Sequence, residues 1–75
     1  MMNNNDQFNY QFLGRLQQDC EYYLDFGNRQ NTVLWAKDEV EQIQKMREVY
    51  DLLPIKPDWC TLEDITRYEK SMVTS

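Results

Sequence analysis

The sequence contains no histidine. That absence removes the commonest general acid–base at neutral pH and the commonest metal ligand. Only two cysteines are present, Cys20 and Cys60. They stand far apart and make a poor metal set. They read as buried thiols, with a single bridge between them left open. The two glycines are Gly14 and Gly27, and the two prolines are Pro54 and Pro57. So few turn formers leave little room for a loop-rich fold, and a lone glycine cannot build a phosphate-cradling loop. No apolar run approaches the ~20 residues of a membrane span. The start, Met1 to Asp6, lacks the charged segment and apolar core of a signal peptide, so the expected location is the cytoplasm. Basic residues are outnumbered, eight Lys and Arg against thirteen Asp and Glu, for a net charge of −5. No basic cluster offers to displace counterions from phosphate, which disfavours direct nucleic-acid binding. An acidic protein can instead bind a basic protein surface, including one that itself holds nucleic acid.

What is present is helical periodicity and bulky anchors. Seventy-five residues make one domain, and three phenylalanines, five tyrosines and two tryptophans supply its core. A domain this small buries only about 60% of its unfolded surface, so each large side chain counts. The expected fold class is all-α: a compact three-helix mini-domain with helices near 6–26, 38–53 and 62–72 and an irregular joint at 27–37. The single helical domain spans 6–73 and follows a disordered N-terminus at 1–5.

Asp6 is placed to cap the first helix. Phe8, Phe12, Leu13, Leu16, Cys20, Tyr23 and Leu24 then recur at threes and fours, one helical face. Gly27 suits a left-handed cap at the helix end. Asn28, Asn31 and Thr32 are turn formers. Asp38 opens the second helix, with Glu39 and Glu41 complementing its dipole. Its expected stripe is Ala36, Val40, Ile43, Met46, Tyr50 and Leu53. Val49 and Leu52 fall off that stripe and either pack against Trp59 or face a partner. Arg47 sits in the stripe, its stem covering the core and its head reaching an acid. The two prolines end the helix. Thr61 with Asp64 three positions later forms a capping box, Cys60 and Ile65 a hydrophobic staple. Leu62, Ile65, Tyr68 and Met72 are expected to face inward.

Catalytic constellations do not assemble. Asp19, Glu21 and Asp25 spread around more than half of the first helix and do not converge. The acids at helix starts are explained by the dipole. No enzyme activity, cofactor or metal is expected. The joint offers more. Arg29 and Gln30 lie beside Trp35, and arginine and tryptophan are enriched at binding hot spots. Trp35 either fills the core or makes a contact; Arg29 either pairs with an acid such as Asp25 or reaches a partner. Tyr10 and Tyr22 fall outside the main stripe, as exposed aromatic contacts or crowded against a neighbouring helix. The partner-binding candidates are Arg29, Gln30, Tyr22, Tyr10, Asp19 and Asp25.

Several separated words now matter together. They are Leu16-Gln17-Gln18-Asp19-Cys20-Glu21-Tyr22-Tyr23-Leu24, Gly27-Asn28-Arg29, Leu34-Trp35-Ala36, Gln42-Ile43-Gln44-Lys45-Met46, Leu53-Pro54 and Pro57-Asp58-Trp59-Cys60-Thr61. In this order they resemble the large polyvalent protein-associated domains, specifically the eleventh of that series. The resemblance covers about residues 12–72, without the extension through Tyr10. A histidine often follows the Asn-Arg pair in that family, where this chain has Gln30. The resemblance carries over no catalytic or binding residue. It implies a context: such domains occur alone or within multidomain proteins of phages, plasmids and conjugative elements, and are thought to help the element establish itself in a new host. The expected function is a non-enzymatic interaction protein of such an element, an inhibitor of a bacterial host defence system of the anti-CRISPR kind that binds a host protein, as monomer or homodimer. The alternatives are a nucleic-acid-associated establishment or regulatory factor using Arg15, Arg29 and Lys37, and a structural module docking on a larger protein of the element.

Overall fold

The computed structural model describes residues 4–73. Three helices, α1 (Asn4–Asp25), α2 (Glu39–Leu52) and α3 (Leu62–Met72), enclose one core, and a 3-10 turn at Asn31–Val33 lies in the first connection. Among the described residues there is no strand. Helix α1 starts two residues ahead of the expected boundary, so Asp6 lies in its first turn as a dipole partner and does not cap it. Residues 4 and 5, expected to fray, belong to this helix; Met1 to Asn3, Thr74 and Ser75 lie outside the described residues.

The helices run up, down and up. Contacts of α1 with α2 and the segment that follows it pair late positions with early ones: Tyr23 with Glu39, Cys20 with Met46, Tyr10 with Ile55. Helix α3 reverses again, with Arg47 of α2 bonded to Glu69 at 2.9 Å. Parallel to α1, it aligns Tyr68 with Glu21 and the Ser71 carbonyl with Arg29. Short polar signals set the helix starts. Asp38 accepts the Glu41 N–H at 2.9 Å. Thr61 and Asp64 exchange side-chain to backbone bonds, both 3.1 Å, as a full capping box. Cys60 and Ile65 on either side of it are both fully buried. Lys56 closes the far end of α2, its Nζ donating to the carbonyls of Tyr50, Asp51 and Leu53.

The core joins Leu13, Leu16, Cys20 and Tyr23 of α1 to Ile43, Met46, Val49 and Tyr50 of α2 and Ile65, Tyr68 and Met72 of α3, with Leu34, Leu53 and Cys60 from the connections. The buried face of α2 is turned from the expected stripe. Gln42 and Val49 are inside, whereas Val40 is exposed. Arg47 behaves as expected, half-buried with its head on Glu69 and Thr66. The pair Val49 and Leu52 splits, one buried and the other exposed. Leu62, expected inward, opens α3 at the surface. Phe8 is also out, 62% exposed, although it shares the apolar period of α1. Helix α1 has 22 residues against 14 in α2. Its first turns reach the 53–59 connection, where Tyr10 meets Ile55, and carry Phe8 and Phe12 to one side of it.

Of the two glycines only Gly27 sits in tight quarters. Gly27 is not left-handed; the positive φ values fall on Asn28 (52°) and Arg29 (58°). A Cβ on Gly27 would lie 3.2 Å from the Tyr22 carbonyl oxygen and 3.3 Å from the Tyr23 Cα. A side chain at Gly27 would force its neighbours to give by a few tenths of an ångström where the joint folds back against α1. At Gly14, beneath the Trp59 ring, a Cβ would stand at an ordinary 4.0 Å from that ring.

Candidate functional site: the Trp35 surface

The joint turns back along α1. Its backbone is fastened by side chains from both long helices. Asp19 Oδ2 accepts the Trp35 N–H at 2.9 Å. Gln42 Oε1 accepts the next amide, that of Ala36, at 3.0 Å, while Gln42 Nε2 donates to the Leu16 carbonyl at 3.2 Å. Lys37, at φ 58°, donates from Nζ to the Thr32 carbonyl. Gln42 is 0% exposed and Asp19 is 9% exposed. Buried polar side chains in this position are stabilising only while their partners are kept. Here every described buried side-chain nitrogen and oxygen has a partner.

The consequence is an aromatic residue on a rigid mount. Trp35 is not core: it is 47% exposed. Its ring meets Phe12 edge-on at 5.0 Å between centroids, and Phe12 in turn touches Phe8 at 5.7 Å. Phe8, Phe12, Arg15 and Asp19 follow one stripe of α1, at spacings of four, three and four, and this stripe runs beneath the joint. Trp35 separates two open concavities. One, of about 400 Å³, is lined by Phe8, Gln11, Phe12 and Arg15 as well as the indole. The other, of about 440 Å³, lies toward α2 between Trp35, Ala36, Glu41, Gln44, Lys45 and Glu48. The Lys45 ammonium stands 6.0 Å from the Trp35 ring centroid and 3.2 Å from Glu48 Oε1.

The other candidates are dispersed. Asp19 is withdrawn from the surface, its carboxylate bridging Arg15 Nε at 3.3 Å and the Trp35 amide. Tyr10 is half-buried and bonds both the N–H and the carbonyl of Ile55, clamping the 53–59 connection to α1. Arg29 reaches α3, where Nη1 donates to the Ser71 carbonyl at 2.7 Å. Gln30 precedes the 3-10 turn; its backbone accepts from Val33, and its side chain makes no capping bond. Tyr22 is exposed beside Phe26, with rings 6.0 Å apart, and Asp25 is exposed on the same end of α1. The structure therefore does not bring the six together. The three bases set near the joint, Arg15, Arg29 and Lys37, are engaged with Asp19 and with the carbonyls of Ser71 and Thr32.

Two thiols and two phenols of the core are held in their neutral forms. Burial pushes the Cys20 thiol from 9.0 up to about 12, reinforced by the Asp19 charge. Burial likewise pushes Cys60 up to about 11. Both are free thiols. Tyr23 and Tyr68 are raised, each chiefly by burial; the Glu39 bond adds to the first, and a Gln17 bond opposes the second. Among the described residues no group of three or more metal-ligating side chains comes together, and no helix is long and apolar enough to cross a membrane.

In sequence Asp19 reads as one more solvated acid and Gln42 as a gap in an apolar period, and periodicity alone does not say what either would hold. Trp35 gave the opposite signal, an apolar residue whose size argues for the core.

A compact all-α domain of three helices, with its polar joint pinned to the helix surfaces, is the class that fold and site define. The chain belongs to the family of large polyvalent protein-associated domain 11, whose sequence model matches residues 6–72. The family is a domain of large polyvalent proteins, loosely associated with phages and mobile elements. The match begins before residue 12, so Phe8 and Tyr10 are part of the family domain and not an extension to it. No curated protein and no solved structure matches the chain.

Proposed function

We propose that the domain is a non-enzymatic, protein-binding module of a phage or mobile element that works in the cytoplasm of the host bacterium. Its target is a host protein, and the leading version is an inhibitor of a bacterial defence system of the anti-CRISPR kind. The observation that carries the binding role is the fastening of two consecutive amides, Trp35 and Ala36, by Asp19 and Gln42. The buried polar side chains hold in place a large aromatic residue that stays half in water. Such pre-organisation lowers the ordering cost of binding, and tryptophan is the residue type most enriched at hot spots. Family context and the net charge of −5 support a mobile-element protein directed at a basic surface.

The reading is tested by expressing the domain and its Trp35→Ala variant in bacteria whose CRISPR system targets an infecting phage. Restored plating by the wild type, lost in the variant, supports it; equal plating with and without the domain counts against the defence-inhibitor version. A second reading, docking on a larger protein of the same element, draws on the exposed Leu52 and Ile55 beside the end of α2. Co-purification with that larger protein, insensitive to Trp35→Ala, favours it.

A further inference from the structure

We infer that the concavity between Trp35 and α2 is a receptor for a cationic side chain, and that the segment it takes from a partner is a basic peptide presenting arginine. This deepens the binding role proposed above and rests on it. The chemistry of the walls selects the guest. One wall is the indole of Trp35, which attracts a cation to its face. The opposite wall is the outer surface of α2, where Glu41 and Glu48 stand exposed on either side of Gln44. The positive end of the α2 dipole is roughly half a charge. Asp38 and Glu41 outweigh it at that end.

The molecule already places a cation there. The Lys45 ammonium lies near the indole face and pairs with Glu48. Its side chain remains 30% exposed, and the pair is of the surface kind that contributes little to stability. A lysine so held can swing away at small cost. An incoming guanidinium, flat and weakly hydrated, stacks on tryptophan better than an ammonium and offers a fork to the carboxylates. The volume of about 440 Å³ is ample for one such side chain. Lys45 is thus a resident stand-in that the partner's arginine displaces.

The test uses the full chain, labelled with nitrogen-15, titrated with blocked Gly-Arg-Gly, with its citrulline isostere and with Gly-Glu-Gly. The arginine peptide is expected to shift the Trp35 indole N–H and the amides of Glu41, Gln44 and Glu48. Trp59 serves as the internal reference and stays still. Trp35→Ala weakens the apparent affinity about tenfold, in the range of a partly desolvated cation–aromatic contact. Lys45→Ala strengthens it, and does so more than Lys70→Ala, which makes the same change in net charge on α3. Shifts of equal size with citrulline overturn the inference. So do shifts scattered over the acids of α3, or an equal gain from the two lysine variants. Loss of the protein partner in Trp35→Ala without arginine selectivity overturns this inference and leaves the binding role standing. Arginine selectivity in the cleft with partner capture unaffected by Trp35→Ala does the reverse for the Trp35 surface as the partner site.

Discussion

Asp19 Oδ2 accepts the backbone N–H of Trp35 across sixteen positions of sequence, at 2.9 Å. Helix and joint are bound together there by a carboxylate that is almost wholly buried. Gln42 repeats the device one amide later, from the other helix. Removing either acceptor strands an amide in partly buried surroundings, at about 1–3 kcal/mol. Asp19→Ala and Gln42→Leu are each expected to lower the urea midpoint accordingly. Asp19→Asn keeps one acceptor and loses less. Since both hold adjacent amides, the double variant should depart from additivity by more than about 0.5 kcal/mol. Arg15→Ala, which removes only the exposed partner of Asp19, changes stability by less than about 1 kcal/mol.

The glycines should respond in opposite directions. Gly14→Ala meets nothing closer than the Trp59 ring at 4.0 Å. It gains about 0.5–1 kcal/mol of helix propensity. Gly27→Ala drives a methyl group against backbone at 3.2–3.3 Å and loses stability. Thermal unfolding followed by circular dichroism reads both, and a stabilised Gly27→Ala would refute the close approach described for the joint.

Alkaline pH should weaken the domain through its buried thiols and phenols. Both thiols titrate higher in the folded chain than the ordinary 9.0, at about 12 and about 11. The folded state therefore binds more protons than the unfolded state above pH 9. Stability is complete below that value and falls as pH rises through 11 and 12. The raised Tyr23 and Tyr68 act in the same sense. A urea midpoint that declines from about pH 9 upward, less steeply in Cys20→Ala relative to its own neutral-pH value, is the expected result. A thiol reagent at pH 7.5 should label neither cysteine in the native state.

Arg29 is expected to be a structural residue. Its guanidinium holds the Ser71 carbonyl, in the last turn of α3, from a joint position with φ 58°. Arg29→Ala should speed amide exchange in the C-terminal turn of α3 and cost on the order of 1 kcal/mol. Partner capture that fails in Arg29→Ala while exchange is unchanged would return this residue to the contact surface.

The helices were legible because their signals are local. Asp38, Thr61 with Asp64, and the prolines act within a few residues, and the structure places the helix boundaries within one or two residues of the expected ones. The joint was not legible, because its conformation is decided by residues distant in sequence. Gln42 occupies a core position that an apolar period skips. Asp19 looks like a solvated acid until the joint folds onto it. Trp35 is hydrophobic enough to read as core, and its exposure follows from those two bonds and from Phe12 beneath it. Gly27 follows the helix end like a left-handed cap, yet steric closeness and not a positive φ requires it. Among the candidate residues, Tyr10, Asp19 and Arg29 bond one element to another, and Tyr22, Asp25 and Gln30 are exposed.

The most direct measurement compares protein captured from a bacterial host by tagged wild type and by Trp35→Ala, with urea unfolding of both run alongside. A large loss of a specifically enriched, mass-spectrometrically identified partner, with the variant still cooperatively folded, is the expected result. The same partner retained in the same amount by a folded Trp35→Ala would contradict the assignment of this surface to binding.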